Sequence, residues 1–265
     1  MVTVKLKMGS AKTLRCGQRG EHVVLGAAGT NTLGAGTTHR TAACRERPTL
    51  PSVVAAVVFD VGETLLDDSR EFGAWADWIG VPRHTFSALL GAVTALGEDN
   101  ARAFDYLRPG FDVVRERRLR ELAGRGEQIE DCDLYPDVRP ALEALREQGL
   151  WVGIAGNQTA RAAELLRALE LPADAVATSA EWGVAKPDHR FFARVIEMAP
   201  CRAEEILYVG DHRDHDILPA RAAGLRAALI RRGPWGHLWA EDPAVVDAVD
   251  WRLTSLAELP EIIGR

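Results

Sequence analysis

From residue 51 onward the chain alternates short β-branched runs with helix-length amphipathic segments. That alternation restricts the fold more than any other property of the sequence. Val53 to Phe59 is an unbroken apolar run and reads as a strand buried on both faces. Further strands are expected at Trp151–Ala155, Val176–Ser179, Ile206–Val209 and Ala227–Ile230. Between them, Pro136–Gln148, Ala160–Leu169, His189–Met198 and Ile217–Ala223 read as helices, the first with Pro near its start and Gly149 just past its end. Strands alternating with helices imply βαβ units, hence an α/β fold: a Rossmann-like parallel sheet flanked by helices. One connection is too long for a simple crossover. Residues 70 to about 125 read as helical, with Trp75 and Trp78 three apart and Leu89, Leu90, Val93 and Leu96 on one face. We expect an inserted helical cap domain at 68–134, with the core made of 51–67 and 135–265.

The first 50 residues differ from the rest. Of 32 Lys and Arg and 38 Asp and Glu, eight and two fall there, which leaves 24 basic against 36 acidic residues in the body. Residues 1–50 carry no steady helical or strand period and read as an unstructured N-terminal extension, with a targeting role as the lesser alternative. Their Gly-rich stretch lacks the Lys-Ser/Thr pair and following helix of a phosphate loop. An acidic body argues against a nucleic-acid partner. No apolar run nears the roughly 20 residues of a membrane helix, so no membrane partner is expected. Cys16, Cys44, Cys132 and Cys201 show no CxxC spacing and fit a reducing cytoplasm.

Reactive groups of an open parallel sheet gather at the carboxyl ends of its strands. Asp60 follows Val-Val-Phe, Asn157 follows Ile-Ala-Gly, and Asp211 follows Tyr-Val-Gly. Lys186, next to Pro187, lies in the loop after the third strand and is the single lysine of the body beside 23 arginines. Two nearby carboxylates repel each other and call for a hard, oxygen-ligated cation such as Mg²⁺. One of them, held ionised by the metal and an ammonium, can act as a nucleophile. Lysine and an amide can then neutralise an anionic substrate. Such a set suits phosphoryl transfer to an aspartate. Each residue also has a plainer reading: Asp60 as a turn or helix cap, Asn157 as the cap of the helix from Ala160, Lys186 as a solvated loop residue.

Four segments in order resemble the motifs of the haloacid dehalogenase (HAD) superfamily of hydrolases: Phe59-Asp60-Val61-Gly62-Glu63-Thr64, Ile154-Ala155-Gly156-Asn157, Gly183-Val184-Ala185-Lys186-Pro187, and Val209-Gly210-Asp211 with Asp216 five residues on. The resemblance implies that Asp60 attacks phosphorus and becomes an aspartyl-phosphate. It implies Mg²⁺ held by Asp60, the Gly62 carbonyl and Asp211, with Asp216 supporting Lys186 or a metal-bound water. Asn157 and Lys186 would contact the phosphoryl group, and Thr64 and Gly156 would line its pocket. The partner expected is a small phosphorylated substrate.

Two departures bear on rate. The family's phosphatases carry a second Asp two residues after the nucleophile as general acid and base, and this chain has Gly62 there. General acid–base help is worth about 10²–10⁴-fold, so a slow enzyme is expected unless Glu63 substitutes. Where the family has Ser or Thr, this chain has Gly156, which removes one hydroxyl. The alternatives are a metal-independent haloacid dehalogenase using the same Asp60, and a catalytically weakened phosphate-ligand binding protein. Elsewhere, His212 and His215 read as loop residues, Trp75 and Trp78 as cap core, Trp235 and Trp239 as packing residues or surface anchors, and Arg115–Arg120 as a solvated helix face.

Overall fold

The computed structural model of the protein describes residues 53–264. The expectations for residues 1–50, and for Cys16 and Cys44, fall outside the described residues. Six strands form one parallel sheet: β1 (Ala56–Phe59), β2 (Trp151–Gly156), β3 (Ala175–Thr178), β4 (Ile206–Gly210), β5 (Arg226–Ile230) and β6 (Trp251–Leu253), in the order β3-β2-β1-β4-β5-β6. The chain runs outward from β1 through β2 to β3, then returns to place β4 on the other side of β1. The order therefore reverses between β1 and β4, and such a switch point opens a crevice at the carboxyl ends of the strands. Register puts Phe59 level with both Ile154 and Val209, so the residues that follow these three strands emerge side by side.

Alternation along the strands builds two cores. Val57, Phe59, Ile154 and Val209 face one way, against the helices α5 (Val138–Glu147) and α6 (Ala160–Ala168). Ala56, Val58 and Tyr208 face the other, where Phe191 and Val195 lie against them. All four residues of β1 are fully buried, as a central strand covered on both faces requires.

The long connection between β1 and β2 is a helical unit, as expected: α1 (Ser69–Ile79), α2 (Arg83–Ala95), α3 (Ala101–Leu107) and α4 (Val113–Leu122). Its own core is aromatic. Phe104 meets the edges of Trp75 and Phe86 at 5.1 and 5.0 Å between ring centres. The two segments that join it to the sheet run side by side: the Asp67 N–H donates to the Asp133 carbonyl (2.8 Å) and the Tyr135 N–H to the Leu65 carbonyl (3.0 Å). Arg70 clamps the Asp133 carboxylate across this junction. The unit thus leaves and re-enters the sheet within a few residues of Asp60.

The remaining helices are α7 (Ser179–Trp182), α8 (His189–Met198), α9 (Leu218–Ala222), α10 (Gly233–Leu238), α11 (Pro243–Ala248) and α12 (Leu259–Ile263). No helix among the described residues is long and apolar enough to cross a membrane.

Several details differ from the sequence reading. The first strand begins at Ala56, and Val53 is 76% exposed. The helix expected over Ile217–Ala223 is present as α9, but an unread π-helical turn at Arg213–Ile217 leads into it. Asn157 does not cap the helix from Ala160; Thr159 does, its hydroxyl accepting from the Ala162 N–H (2.9 Å). Arg120 is not on a solvated face. It is 2% exposed, paired with Glu71 at 2.6 Å and stacked 4.2 Å over the Trp75 ring. Arginine alone can combine a forked ion pair with flat stacking, which is why burial here is tolerated.

Candidate active site

Asp60, Lys186, Asp211 and Asp216 converge at the switch point. The Lys186 Nζ lies 2.6 Å from Asp60 Oδ1 and 2.5 Å from Asp216 Oδ1, with all three side chains buried or nearly so. The other Asp216 oxygen accepts the His212 N–H at 2.9 Å. The π turn at Arg213–Ile217 makes this geometry: it carries Asp216 back over the end of β4, beside Gly210. A Cβ on Gly210 would meet the Asp216 carboxyl at 2.4 Å, so only glycine admits that approach. The solitary lysine of the body is therefore not a solvated loop residue. Its ammonium is enclosed, with the Tyr208 and Phe191 rings 5.6 and 5.9 Å away.

Asn157 acts on the lysine loop. Its amide donates to the Lys186 carbonyl (2.9 Å) and accepts the Lys186 N–H (2.8 Å), pinning the loop after β3 to the end of β2. Thr64 is fully buried in the turn after β1, its carbonyl accepting Arg232 Nη1 at 2.7 Å. Its hydroxyl has no partner among the described residues. Arg232 also pairs with Asp137, which accepts the Ser255 hydroxyl and Leu256 N–H. The turn after β1 that carries Asp60 is thereby tied to the far edge of the sheet by residues with no recognisable local pattern.

The two glycines that depart from the family pattern are both crowded. A Cβ on Gly156 would lie 2.6 Å from Asp60 Oδ1 and 3.0 Å from Val61 Cγ2. The hydroxyl-bearing residue of the family has no room while Asp60 faces Lys186. A Cβ on Gly62 would lie 2.8 Å from Asp68 Oδ2. Glu63, the suggested stand-in for the missing acid, has a left-handed backbone (φ 51°) and accepts the Tyr135 hydroxyl at 2.7 Å. Tyr135, Asp68, Arg232 and Asp137 went unread because each is an unremarkable turn or loop residue in the sequence.

Three carboxylates share this space with one ammonium. Ligand oxygens of Asp60, Asp211 and Asp216 all lie within 4.8 Å of one another. Burial pushes the Asp60 carboxyl up to about 6, with Lys186 opposing and Asp216 adding to the shift. Burial, Asp216 and Asp60 push Asp211 well above the usual carboxylate range. Burial disfavours the Lys186 ammonium, but the attraction of Asp216 and Asp60 outweighs it and its pKa is raised. Asp211 Oδ2 is buried with no hydrogen-bond partner. An orphaned carboxylate oxygen beside a second carboxylate fits a small divalent cation with oxygen ligands, and Mg²⁺ meets that description.

Beside this cluster lies an aromatic corner that the sequence did not announce. His212 stacks on His215 at 3.9 Å, with Trp235 and Trp239 at 4.6 and 4.7 Å. Burial, then His215 and Lys186, depress His212 to about 3, so its imidazole is neutral and its Nδ1 accepts the Asp214 and His215 N–H groups. Trp235 and Trp239 are thus not surface anchors. Trp235 also lines a cavity of about 390 Å³ between the helical unit and the sheet, with Glu63, Phe72, Leu90, Asn100 and Tyr135.

Comparison with known proteins shows the relatives of the chain. The chain is 27% identical over 231 residues to the glyceraldehyde 3-phosphate phosphatase of Methanopyrus kandleri, covering 80% of this chain and 97% of that one. It is 32% identical over 141 residues to the ribulose-1,5-bisphosphate 5-phosphatase of Halopiger xanaduensis, covering 51% and 59% respectively. Among solved structures, the HAD-hydrolase YfnB of Bacillus subtilis, bound to magnesium, superposes with a TM-score of 0.61 at 20% identity, over 81% of this chain and all of that one. The family model of the haloacid dehalogenase-like hydrolases matches residues 54–224, a span that runs from the strand before Asp60 to the helix after Asp216. With the sheet order, the strand-end carboxylates and that match in agreement, the chain belongs to the haloacid dehalogenase-like hydrolases.

Proposed function

We propose that the protein is a Mg²⁺-dependent phosphatase of small phosphate esters that works through a phosphoryl group carried on Asp60. The observation that carries this reading is the unpartnered Asp211 oxygen next to Asp60 and Asp216. A hydrolase that needed no cation would leave that buried oxygen without any partner, which folded proteins rarely tolerate. Both relatives described above are named as phosphatases of small phosphorylated carbon compounds, and the cavity of about 390 Å³ suits a ligand of that size.

In this reading Asp60 and Asp211, with the Gly62 carbonyl, hold the metal, and Asp216 stands behind them, its two oxygens engaged by Lys186 and His212. Bound Mg²⁺ would supply charge neutralisation for the transferring phosphoryl group. Lys186 holds Asp60 ionised by direct ion pairing and offers its charge to the same group. It grips Asp60 through Oδ1, which leaves Oδ2 to attack phosphorus as the ester P–O bond breaks. Water then displaces the Asp60 oxygen from phosphorus and releases phosphate. Asn157 serves as the residue that positions Lys186. Thr64 and Gly156 line the turn around Asp60. Residues 68–134 act as the cap over a core of 51–67 and 135–265, and the cap face of the cavity selects the ester. Cys132, exposed and unpaired, fits a reducing cytoplasm.

Hydrolysis of an aryl phosphate and of a 2-haloacid, each with Mg²⁺ and with EDTA, tests the reading. We expect phosphate release with Mg²⁺, a loss of at least about 100-fold with EDTA, and no halide release. Halide release insensitive to EDTA would establish the dehalogenase instead. Mg²⁺ binding without turnover of either compound would leave a phosphate-ligand binding protein.

A further inference from the structure

Gly62 leaves the phosphatase reading short of a proton donor, and the structure fills the gap from another part of the chain. Asp68 Oδ2 stands 2.8 Å from where a Cβ on Gly62 would be, hardly farther than an aspartate's own carboxylate oxygens lie from its Cβ. Its carboxyl carbon and Oδ1 are each 3.6 Å from the same point. The Asp68 carboxyl group thus occupies the volume that a side chain at position 62 would enter.

The way the helix starts leaves this carboxyl free. Asp68 holds the N-cap position of α1, where an aspartate ordinarily accepts a backbone N–H of the first turn. It makes no such bond; Asp67 accepts the Ser69 N–H instead, at 2.8 Å. Among the described residues the Asp68 carboxyl makes no side-chain cap bond. Asp60 is near enough to interact with it electrostatically. Glu63, the other carboxyl of this turn, is engaged by the Tyr135 hydroxyl and the Asp68 N–H.

We propose that Asp68, projecting from the first residue of the cap into the space left by Gly62, is the general acid and base of the reaction. As Asp60 bonds to phosphorus and the ester P–O bond breaks, the Asp68 carboxyl gives its proton to the leaving alkoxide. In the second half the Asp68 carboxylate takes a proton from the attacking water as its oxygen bonds to phosphorus and the Asp60–phosphorus bond breaks. Phosphate leaves and Asp68 is again protonated. Because Asp68 belongs to the cap side of the junction, proton transfer is coupled to cap position, which a donor at position 62 would not be.

The inference rests on the phosphatase reading, and the test separates the two. Single-turnover phosphoryl transfer is measured from 2,4-dinitrophenyl phosphate, whose leaving group needs no proton, and from an alkyl phosphate, whose leaving group does. In Asp68→Asn the alkyl-to-aryl rate ratio should fall about 10²–10⁴-fold. Adding Gly62→Asp to an Asp68→Ser background should restore at least a tenth of the wild-type ratio, showing that the variants fold. An unchanged ratio in Asp68→Asn, or equal losses on both esters, overturns the inference alone. Wild-type protein inert toward both esters overturns the phosphatase reading and the inference with it.

Discussion

Lys186→Met is expected to abolish measurable turnover, with kcat reduced by about 10³-fold or more, and to destabilise the fold. The ammonium sits 2.6 and 2.5 Å from two carboxylates that are almost sealed from solvent. Methionine fills the same channel past Tyr208 and Phe191, so the loss isolates charge from packing. Breaking a buried ion pair by removing one partner costs about 3–5 kcal/mol, because the other charge stays behind unpaired. Asp60 then binds a proton in place of the ammonium pairing and ceases to be a nucleophile. Denaturant unfolding and phosphate release check the two halves. Mg²⁺ should restore part of the stability by pairing with the freed carboxylates, and little of the rate. An active Lys186→Met protein would show that the lysine is structural.

Gly156→Ser is expected to lower kcat/KM by about 10²-fold, although the sequence alone suggests the opposite. Family members carry a hydroxyl here that contacts phosphate, so the substitution looks like a repair. The structure gives the reason for the reversal: the new Cβ would meet Asp60 Oδ1 at 2.6 Å, the same oxygen that Lys186 holds. Relief requires the nucleophile to rotate away from the lysine, with Val61 blocking the other side at 3.0 Å. A displacement of about 1 Å at a reacting atom costs about 10²-fold. Steady-state kinetics on one aryl phosphate decide the matter. A faster Gly156→Ser enzyme would mean that Asp60 adopts a different rotamer during the reaction.

These two residues mark how far the sequence could be read. Asp60, Asn157 and Asp211 were legible because a buried strand announces itself by composition, and whatever polar residue follows it lies at the crevice by topology. Lys186 stood out by its isolation among arginines. Asp216 was legible through its spacing from Asp211, but the π turn that presents it was not, because a π turn leaves no periodic trace. Asp68 was invisible for a different reason. Asp67-Asp68-Ser69 before an amphipathic segment is an ordinary helix start, and nothing local tells which aspartate caps and which points elsewhere. Arg120 looked solvated because the helix around it is charged; its burial depends on Glu71 and Trp75, far away in sequence. The aromatic corner of His212, Trp235 and Trp239 and the short β6 are tertiary outcomes of the same kind, too brief or too distant for pattern to reveal.

Rapid-quench mass spectrometry of the protein mixed with an activated phosphate ester and Mg²⁺ addresses the core of the mechanism directly. The account predicts one phosphoryl group per chain, mapped to the peptide containing Asp60, discharged by hydroxylamine and missing in Asp60→Asn. Steady turnover of the ester with no phosphorylated protein at any quench time, or a phosphoryl group mapped to another residue, would contradict it.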